Sequence, residues 1–337
     1  GPGGISAAWH LTLKGHHATL FETGDAIGGK ISSVIPGSRI PKETLQAELE
    51  RIRELIPDIR LNQSIGKRQF SKMTKEFDFT IVAAGAKKPR SLPVPGIENA
   101  WFANDFLEQS KQDAIKPGKR VVIIGAGNVG CDVATEAHRL GARDITLIDI
   151  QKPLAFGKEK EDAEACGAVF KWPCFTQKIN KKSVVIQNGE VLKADTIVVS
   201  IGDVPDLDFL DKTIDLTNGF VTINAFNQTT NPQVFAIGDV VGPGLITDAI
   251  GAGRRAAQSI DRIINGKSPD QGELLPMINK NRVSLEYYDP RNVADTMNEC
   301  GTDCASCGQC KDCGICIAVC PENAIERVEN AGGQPFM

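Results

Sequence analysis

The sequence predicts an α/β fold: two parallel-sheet units followed by a small cysteine-rich segment. Three observations predict it. The apolar run Val121-Val122-Ile123-Ile124 leads straight into Gly125-Ala126-Gly127-Asn128-Val129-Gly130. A second glycine cluster, Gly1-Pro2-Gly3-Gly4, opens the chain ahead of an apolar-periodic stretch. Cys300, Cys304, Cys307, Cys310, Cys313, Cys316 and Cys320 crowd together near the C-terminus.

Composition bounds the answer. A chain of 337 residues, 41% of them apolar, suits two or three domains with their own cores. A net charge of −4 with no basic stripe argues against a nucleic-acid partner. No apolar stretch approaches membrane-spanning length and no signal peptide is recognised, so membrane insertion is not expected and the cytoplasm is the expected compartment.

The opening glycines read as the second half of a dinucleotide loop. Gly1 would let the backbone approach a pyrophosphate, and Gly4 would let helix pack on strand. The strand and first glycine of such a loop are not among these residues, so the sequence reads as beginning inside the motif, and a chain of only these residues should bind that cofactor poorly. Ala18-Thr19-Leu20-Phe21-Glu22 is a short strand ending in an acid. Glu22 lies 18 residues past Gly4, where a carboxylate meets an adenosine ribose. Gly28 and Gly29 follow. Leu45, Leu49, Ile52 and Leu55 repeat at helical spacing, predicting a helix from Thr44 to about Leu55. Phe77–Ala86 reads as a strand ending in small residues, Gly85 among them. Ser91–Gly96 reads as a linker.

The second glycine loop has its whole context. An unbroken apolar run is what a parallel strand buried on both faces requires. A helix pattern runs from about Cys131 to Leu140, Gly141 ends it, and Ile145–Asp149 makes the next strand. The loop amides and helix N-terminus would hold a pyrophosphate. Asp149, 19 residues beyond Gly130, is placed for a ribose 2′-hydroxyl. It would repel a 2′-phosphate, which favours NAD(H) over NADP(H); Lys152 nearby keeps the second open. Asp149 could instead simply cap a surface strand end. Thr196–Gly202 and Thr229–Asp239 read as return strands, the latter ending in Gly238-Asp239. Gly244 to Ser259 reads as a helix whose N-terminal dipole could favour an electron-rich ring.

On these residues the chain resembles the two-dinucleotide-binding flavoprotein family, and within it the small chain of glutamate synthase and its relatives. The carriers are Gly1–Gly4, Glu22, Gly28-Gly29, Ile35–Lys42, Ala83–Ala86, Gly125–Gly130 and Ala236–Asp239, over about Gly1 to Lys267. The resemblance implies two Rossmann-like domains: an FAD domain from 1–115 and 225–270, and an NAD(P) domain inserted over 116–224. It implies that Glu22 holds the FAD ribose, that Gly28 and Gly29 line FAD, that Asp239 meets its ribityl–pyrophosphate part, and that Thr247, Asp248 and Ala249 begin the helix at the flavin ring. The family's N-terminal cysteine-rich helical domain and first strand have no counterpart here, and Asp149 stands where many NADPH-using members are basic.

Beyond a linker over 271–294, a ferredoxin-like domain is expected over 295–330. Cys310-x2-Cys313-x2-Cys316-x3-Cys320-Pro321 has the spacing of a bacterial iron–sulfur loop. Seven cysteines so close together make a poor disulfide framework. A zinc site normally uses two separated pairs. The run supplies one [4Fe-4S] cluster. Were Cys320 to serve a second cluster with Cys300, Cys304 and Cys307, Cys310, Cys313 and Cys316 would need a fourth ligand from elsewhere, because two clusters use eight cysteines and the run has seven. Hydride from NAD(P)H would therefore pass to FAD and leave as single electrons through the cluster to a redox partner, a large subunit or a ferredoxin, in a hetero-oligomer. The reverse direction, a non-catalytic electron-wiring subunit and a zinc-stabilised module stay open at this point.

No side-chain acid or base is required. Cys131, Cys166 and Cys174 form no close pair, which disfavours a dithiol mechanism, and Cys131 reads as packed. His10, His16, His17 and His138 read as structural or surface residues. Trp172–Phe175 reads as packing, and Lys111, Lys116, Lys119 and Arg120 as a solvated approach to a strand.

Overall fold

The computed structural model describes residues 1–269 apart from Ser91, together with 328–329 and 335–336. The expected linker and cysteine ligands lie outside the described residues. Contacts divide the chain into two units, Gly1–Gly272 and Glu273–Met337. In the second, Val328–Glu329 pairs antiparallel with Pro335–Phe336.

In the first unit the elements run α1 (Pro2–Leu13), β1 (Thr19–Phe21), α2 (Lys30–Ser33), α3 (Lys42–Leu55), β2 (Asp58–Arg60), α4 (Lys67–Glu76), β3 (Thr80–Val82), β4 (Lys88–Pro89), β5 (Trp101–Phe102) and α5 (Ala103–Lys111). Then come β6 (Arg120–Ile124), α6 (Asn128–Arg139), β7 (Asp144–Ile148), α7 (Gly157–Ala165), β8 (Val169–Lys171), β9 (Thr176–Asn180), β10 (Ser183–Ile186), β11 (Val191–Lys193) and β12 (Thr196–Val199). The chain returns through β13 (Asp203–Val204), β14 (Leu216–Thr217), β15 (Phe220–Val221), β16 (Val234–Ala236) and α8 (Ile246–Ile264).

The inserted half is a parallel sheet of order β5-β12-β6-β7-β8. Its centre is β6, whose Val121 to Ile124 are all buried, so the unbroken apolar run covers both faces of the sheet. One face packs on Phe106, Leu107, Cys131 and Ala134 of α5 and α6. The other packs on Ile179, Val184 and Ile186 from an antiparallel meander, β9-β10-β11, which the sequence reading did not anticipate.

The outer half contains two parallel ribbons, β1 with β2 and β3 with β16. Among the described residues no strand pairing joins them. What draws this half together is α1 against α8. A Cβ on Gly253 would lie 2.3 Å from the Gly3 carbonyl oxygen and 2.9 Å from the Ala7 nitrogen, so the two backbones touch. The Ser6 hydroxyl donates to the Ile250 carbonyl at 2.8 Å. Gly253→Ala should therefore force the helices apart and destabilise the protein by about 1–3 kcal/mol, the usual penalty of overpacking. A denaturant melt of the variant checks this. The antiparallel pair β4–β13 joins the two halves.

Candidate functional site

The glycine loop after β6 follows from close packing. Gly125 has φ +110°, a conformation that favours glycine, and an added Cβ would meet the Ser200 carbonyl oxygen at 2.2 Å. Gly130, already inside α6, could not carry a Cβ either, because the Gly125 carbonyl lies 2.3 Å from where it would sit. That contact brings the helix down on the strand. The helix starts at Asn128, three residues before the Cys131 that the sequence pattern suggested. Gly127, the N-cap, has no atom within 4 Å of an added Cβ. The N-terminus of α6 has no side-chain cap, which fits first-turn amides that hold a dinucleotide pyrophosphate.

Asp149 sits at the end of β7, beside this loop. Its Oδ2 accepts from the Ala126 amide at 2.9 Å and its Oδ1 from the Gln151 amide at 3.2 Å. The carboxylate is thus anchored to the glycine loop. Asn128 Oδ1 accepts the Phe156 amide at 3.0 Å and pins the following loop, while Val129 is exposed.

The second group forms around the start of α1. Gly1 is the N-cap, and its nitrogen lies 3.6 Å from Glu22 Oε2. Gly29, with φ +56°, lies so close that its Cβ would meet Gly1 Cα at 2.8 Å. The two glycine pairs of the sequence therefore converge. Gly28 has φ +115°, and its Cβ would collide with the Ser32 hydroxyl at 2.0 Å. Gly4 packs against Ala83, at the end of β3. Glu22 Oε1 accepts the Gly24 amide at 3.0 Å. Burial raises the Glu22 carboxyl, while the hydrogen bond from the Gly24 amide and the charge of Lys87 lower it.

Gly238 and Asp239 reach the same region after β16. Gly238 has φ +71°, and its Cβ would approach that of Ala249 at 3.7 Å. Burial raises the Asp239 carboxyl; Lys30, with Nζ 3.8 Å from Asp239 Oδ2, opposes that rise. Asp248 Oδ2 accepts the Leu245 amide at 2.9 Å, so this carboxylate caps α8, which begins at Ile246. Thr247 is exposed nearby, and the Ala249 carbonyl faces Gly3. Gly85, with φ +72°, has open space where a Cβ would point. The glycines and carboxylates here surround open backbone at a helix N-terminus, a donor set that fits a second dinucleotide.

Three side chains in this region were not assigned a role from the sequence. Lys30 Nζ bonds Asp203 Oδ2 at 2.7 Å, and Asn104 Nδ2 donates to the same oxygen at 2.8 Å. Arg39 forks, with Nη1 2.9 Å from Asp132 Oδ2 and Nη2 2.5 Å from Glu159 Oε1. Lys111 corrects an expectation. It is not solvated: its ammonium donates to the carbonyls of Ile31 at 3.1 Å and Ile35 at 2.8 Å, because the end of α5 lies under that loop. The position of Lys30 directly after Gly28-Gly29, and of Arg39 between Pro36 and Pro41, was the available signal.

Cys131 is fully buried, and burial pushes its thiol up to about 12, so it is a packed and inert thiol. Cys166 and Cys174 are free, and among the described residues no disulfide forms. His16 Nε2 lies 2.9 Å from Asp261, tying the end of α1 to α8. Arg120 pairs with Asp195 at 2.7 Å. Cys174 packs against the core under the meander, whereas Trp172 and Phe175 are each 48% exposed and do not. The meander turns its apolar side to the sheet and leaves these rings outside. Among the described residues no helix is long and apolar enough to cross a membrane.

Comparison with known proteins agrees with this geometry. Residues 1–253 match the family model described as pyridine nucleotide-disulphide oxidoreductase. The chain is 31% identical over 278 residues to the NAD-dependent dihydropyrimidine dehydrogenase subunit PreT of Escherichia coli O157:H7, covering 79% of this chain and 67% of that one. It is 30% identical over 303 residues to the NADP(+)-dependent formate dehydrogenase subunit beta of Moorella thermoacetica, covering 78% of this chain but 43% of that subunit. To the glutamate synthase [NADPH] small chain of Mycobacterium tuberculosis it is 29% identical, over 80% of this chain and 66% of the relative. The chain thus spans less than half of the formate dehydrogenase subunit. The thioredoxin reductase of T. acidophilum shares the fold, with a TM-score of 0.63 at 19% identity over 79% of this chain and 96% of that one. The chain belongs to the pyridine nucleotide-disulphide oxidoreductase family and has its α/β fold.

Proposed function

We propose that this protein takes hydride from NADH and delivers electrons singly, through an iron–sulfur cluster, to a partner protein. The observation that carries the reading is the union, on one chain, of two glycine-lined helix N-termini with the Cys310–Cys320 loop. FAD supplies the conversion between two-electron and one-electron chemistry, and a [4Fe-4S] cluster the one-electron outlet. The chain's residues bind and orient. Gly1, Gly4, Glu22, Gly28, Gly29, Gly238 and Asp239 would hold FAD. Gly125, Gly127, Gly130 and the α6 amides would hold the pyrophosphate of NADH. Cys310, Cys313, Cys316 and Cys320 would ligate iron, with Cys300, Cys304 and Cys307 available to a second cluster. The domain limits proposed are 1–115 with 225–270 for FAD and 116–224 for NADH, with β5 and α5 joining the inserted sheet from the FAD side. The names of the relatives, which are subunits and a small chain, support a hetero-oligomer in which another subunit accepts the electrons. The cytoplasm, where thiols stay reduced, suits such a cluster.

Anaerobically reconstituted protein should contain flavin, iron and labile sulfide. Zinc without sulfide would refute the outlet. The preference for NADH rests on Asp149, whose carboxylate is held in place by the Ala126 amide. Asp149→Asn removes the charge that repels a 2′-phosphate. The ratio of NADPH to NADH dissociation constants should fall roughly tenfold, the equivalent of about 1.4 kcal/mol. Flavin-bleaching titrations with both nucleotides measure it.

A further inference from the structure

The loop from Gly28 to Lys42 belongs to the FAD-side half, yet it is fastened to the inserted half at several points. Val34 is 8% exposed and packs in the cluster built from Phe106, Leu107, Ile123 and Cys131 of the inserted half and α5. Lys111, at the end of α5, donates to the Ile31 and Ile35 carbonyls. Lys30 pairs with Asp203 on the return strand β13. Arg39 spans two helices at once, reaching Asp132 on α6 and Glu159 on α7. Asp132 is 4% exposed and stands one turn beyond Asn128, on the helix whose N-terminus forms the open loop at Gly127. A buried carboxylate so placed needs its cation, and that cation arrives from the other half.

We propose that residues 28–42 form a positioning strap, and that Arg39 is its positioning residue. By forking between Asp132 and Glu159 it holds α6 fixed relative to Gly28 and Gly29. The two nucleotide sites then keep one separation and one angle. This rests on the functional reading above, in which hydride crosses between those sites. Hydride transfer tolerates little misplacement; an error of about 1 Å can lower a rate by roughly a hundredfold. A planar guanidinium fork fixes orientation as well as distance, which an ammonium does not.

The test compares wild type with Arg39→Gln, Arg39→Lys and Glu159→Gln, all as full chains loaded with FAD. Glu159 is half-buried on α7, so its amide variant keeps the fold should the arginine variant fail. Anaerobic stopped-flow gives the limiting rate of flavin bleaching at saturating NADH, and the apparent NADH dissociation constant. Amide hydrogen exchange is followed over residues 30–40 and over α6. In Arg39→Gln the limiting rate should fall roughly tenfold or more while NADH affinity changes less than about threefold, a split that general loosening of the NADH site would not produce. Arg39→Lys should recover part of the rate, and Glu159→Gln should lie between. Exchange should rise in both segments in Arg39→Gln and Glu159→Gln. A rate within about twofold of wild type and unchanged exchange in those two variants would overturn the strap. Wild-type protein that NADH does not bleach would defeat the functional reading instead, and the exchange comparison would still decide whether Arg39 locks the halves.

Discussion

Gly127→Ala should leave the protein folded and yet uncouple it from NADH, whereas Gly125→Ala, two residues earlier, should damage the fold itself. The difference is geometric. Gly127 has φ −86°, which alanine adopts freely, and open space where the methyl would go. That space is where a pyrophosphate would approach the α6 amides, so the methyl should weaken NADH binding by an order of magnitude or more, roughly 1.4 kcal/mol or above. Gly125 has φ +110°, and its methyl would sit 2.2 Å from the Ser200 carbonyl oxygen. Strain of about 1–3 kcal/mol adds to an overpacking penalty of similar size. The inserted half should melt roughly 10 °C lower. Calorimetry together with flavin-bleaching titrations separates the two outcomes. Equal stability loss in both variants would contradict the placement of the loop.

Cys313→Ser should separate the two ends of the electron path. The cysteine lies mid-loop in Cys310-x2-Cys313-x2-Cys316-x3-Cys320, so its loss leaves a cluster short of one thiolate. The variant should lose most of its iron and labile sulfide, keep its flavin, and still be bleached by NADH. Reduction of a one-electron acceptor protein should fall by roughly tenfold or more, in keeping with what disrupted metal shells cost. If instead flavin bleaching disappears with the iron, the cluster is structural for the flavin site and not an outlet.

The inserted half was legible because its signals are local. An apolar run, a glycine loop and a following acid sit in sequence, and β6, α6 and β7 follow them to within a few residues. The convergence of Gly1 with Gly29 was implied by the family resemblance rather than by spacing. What stayed hidden is long-range. Arg39 and Asp132 are 93 residues apart, and nothing near either marks the other. Lys111 reads as surface because its partners are backbone carbonyls, which every sequence has. The α1–α8 contact depends on Gly253 meeting Gly3, and a helical glycine looks locally like a weakness, not an interface. Asp248 was read as a residue at the flavin, but its spacing from Leu245 equally suits a cap, and the structure gives it that bond.

In the proposed function, hydride enters at one glycine loop and electrons leave at the cysteine run. An anaerobic titration of the reconstituted protein with NADH, followed at the flavin absorbance and by electron paramagnetic resonance of the same samples, tests it most directly. In wild type the flavin should bleach and a reduced iron–sulfur signal should grow with it; in Cys313→Ser the signal, but not the bleaching, should be lost. Full bleaching of wild-type flavin with no iron–sulfur signal, in protein that holds iron and sulfide, would contradict it.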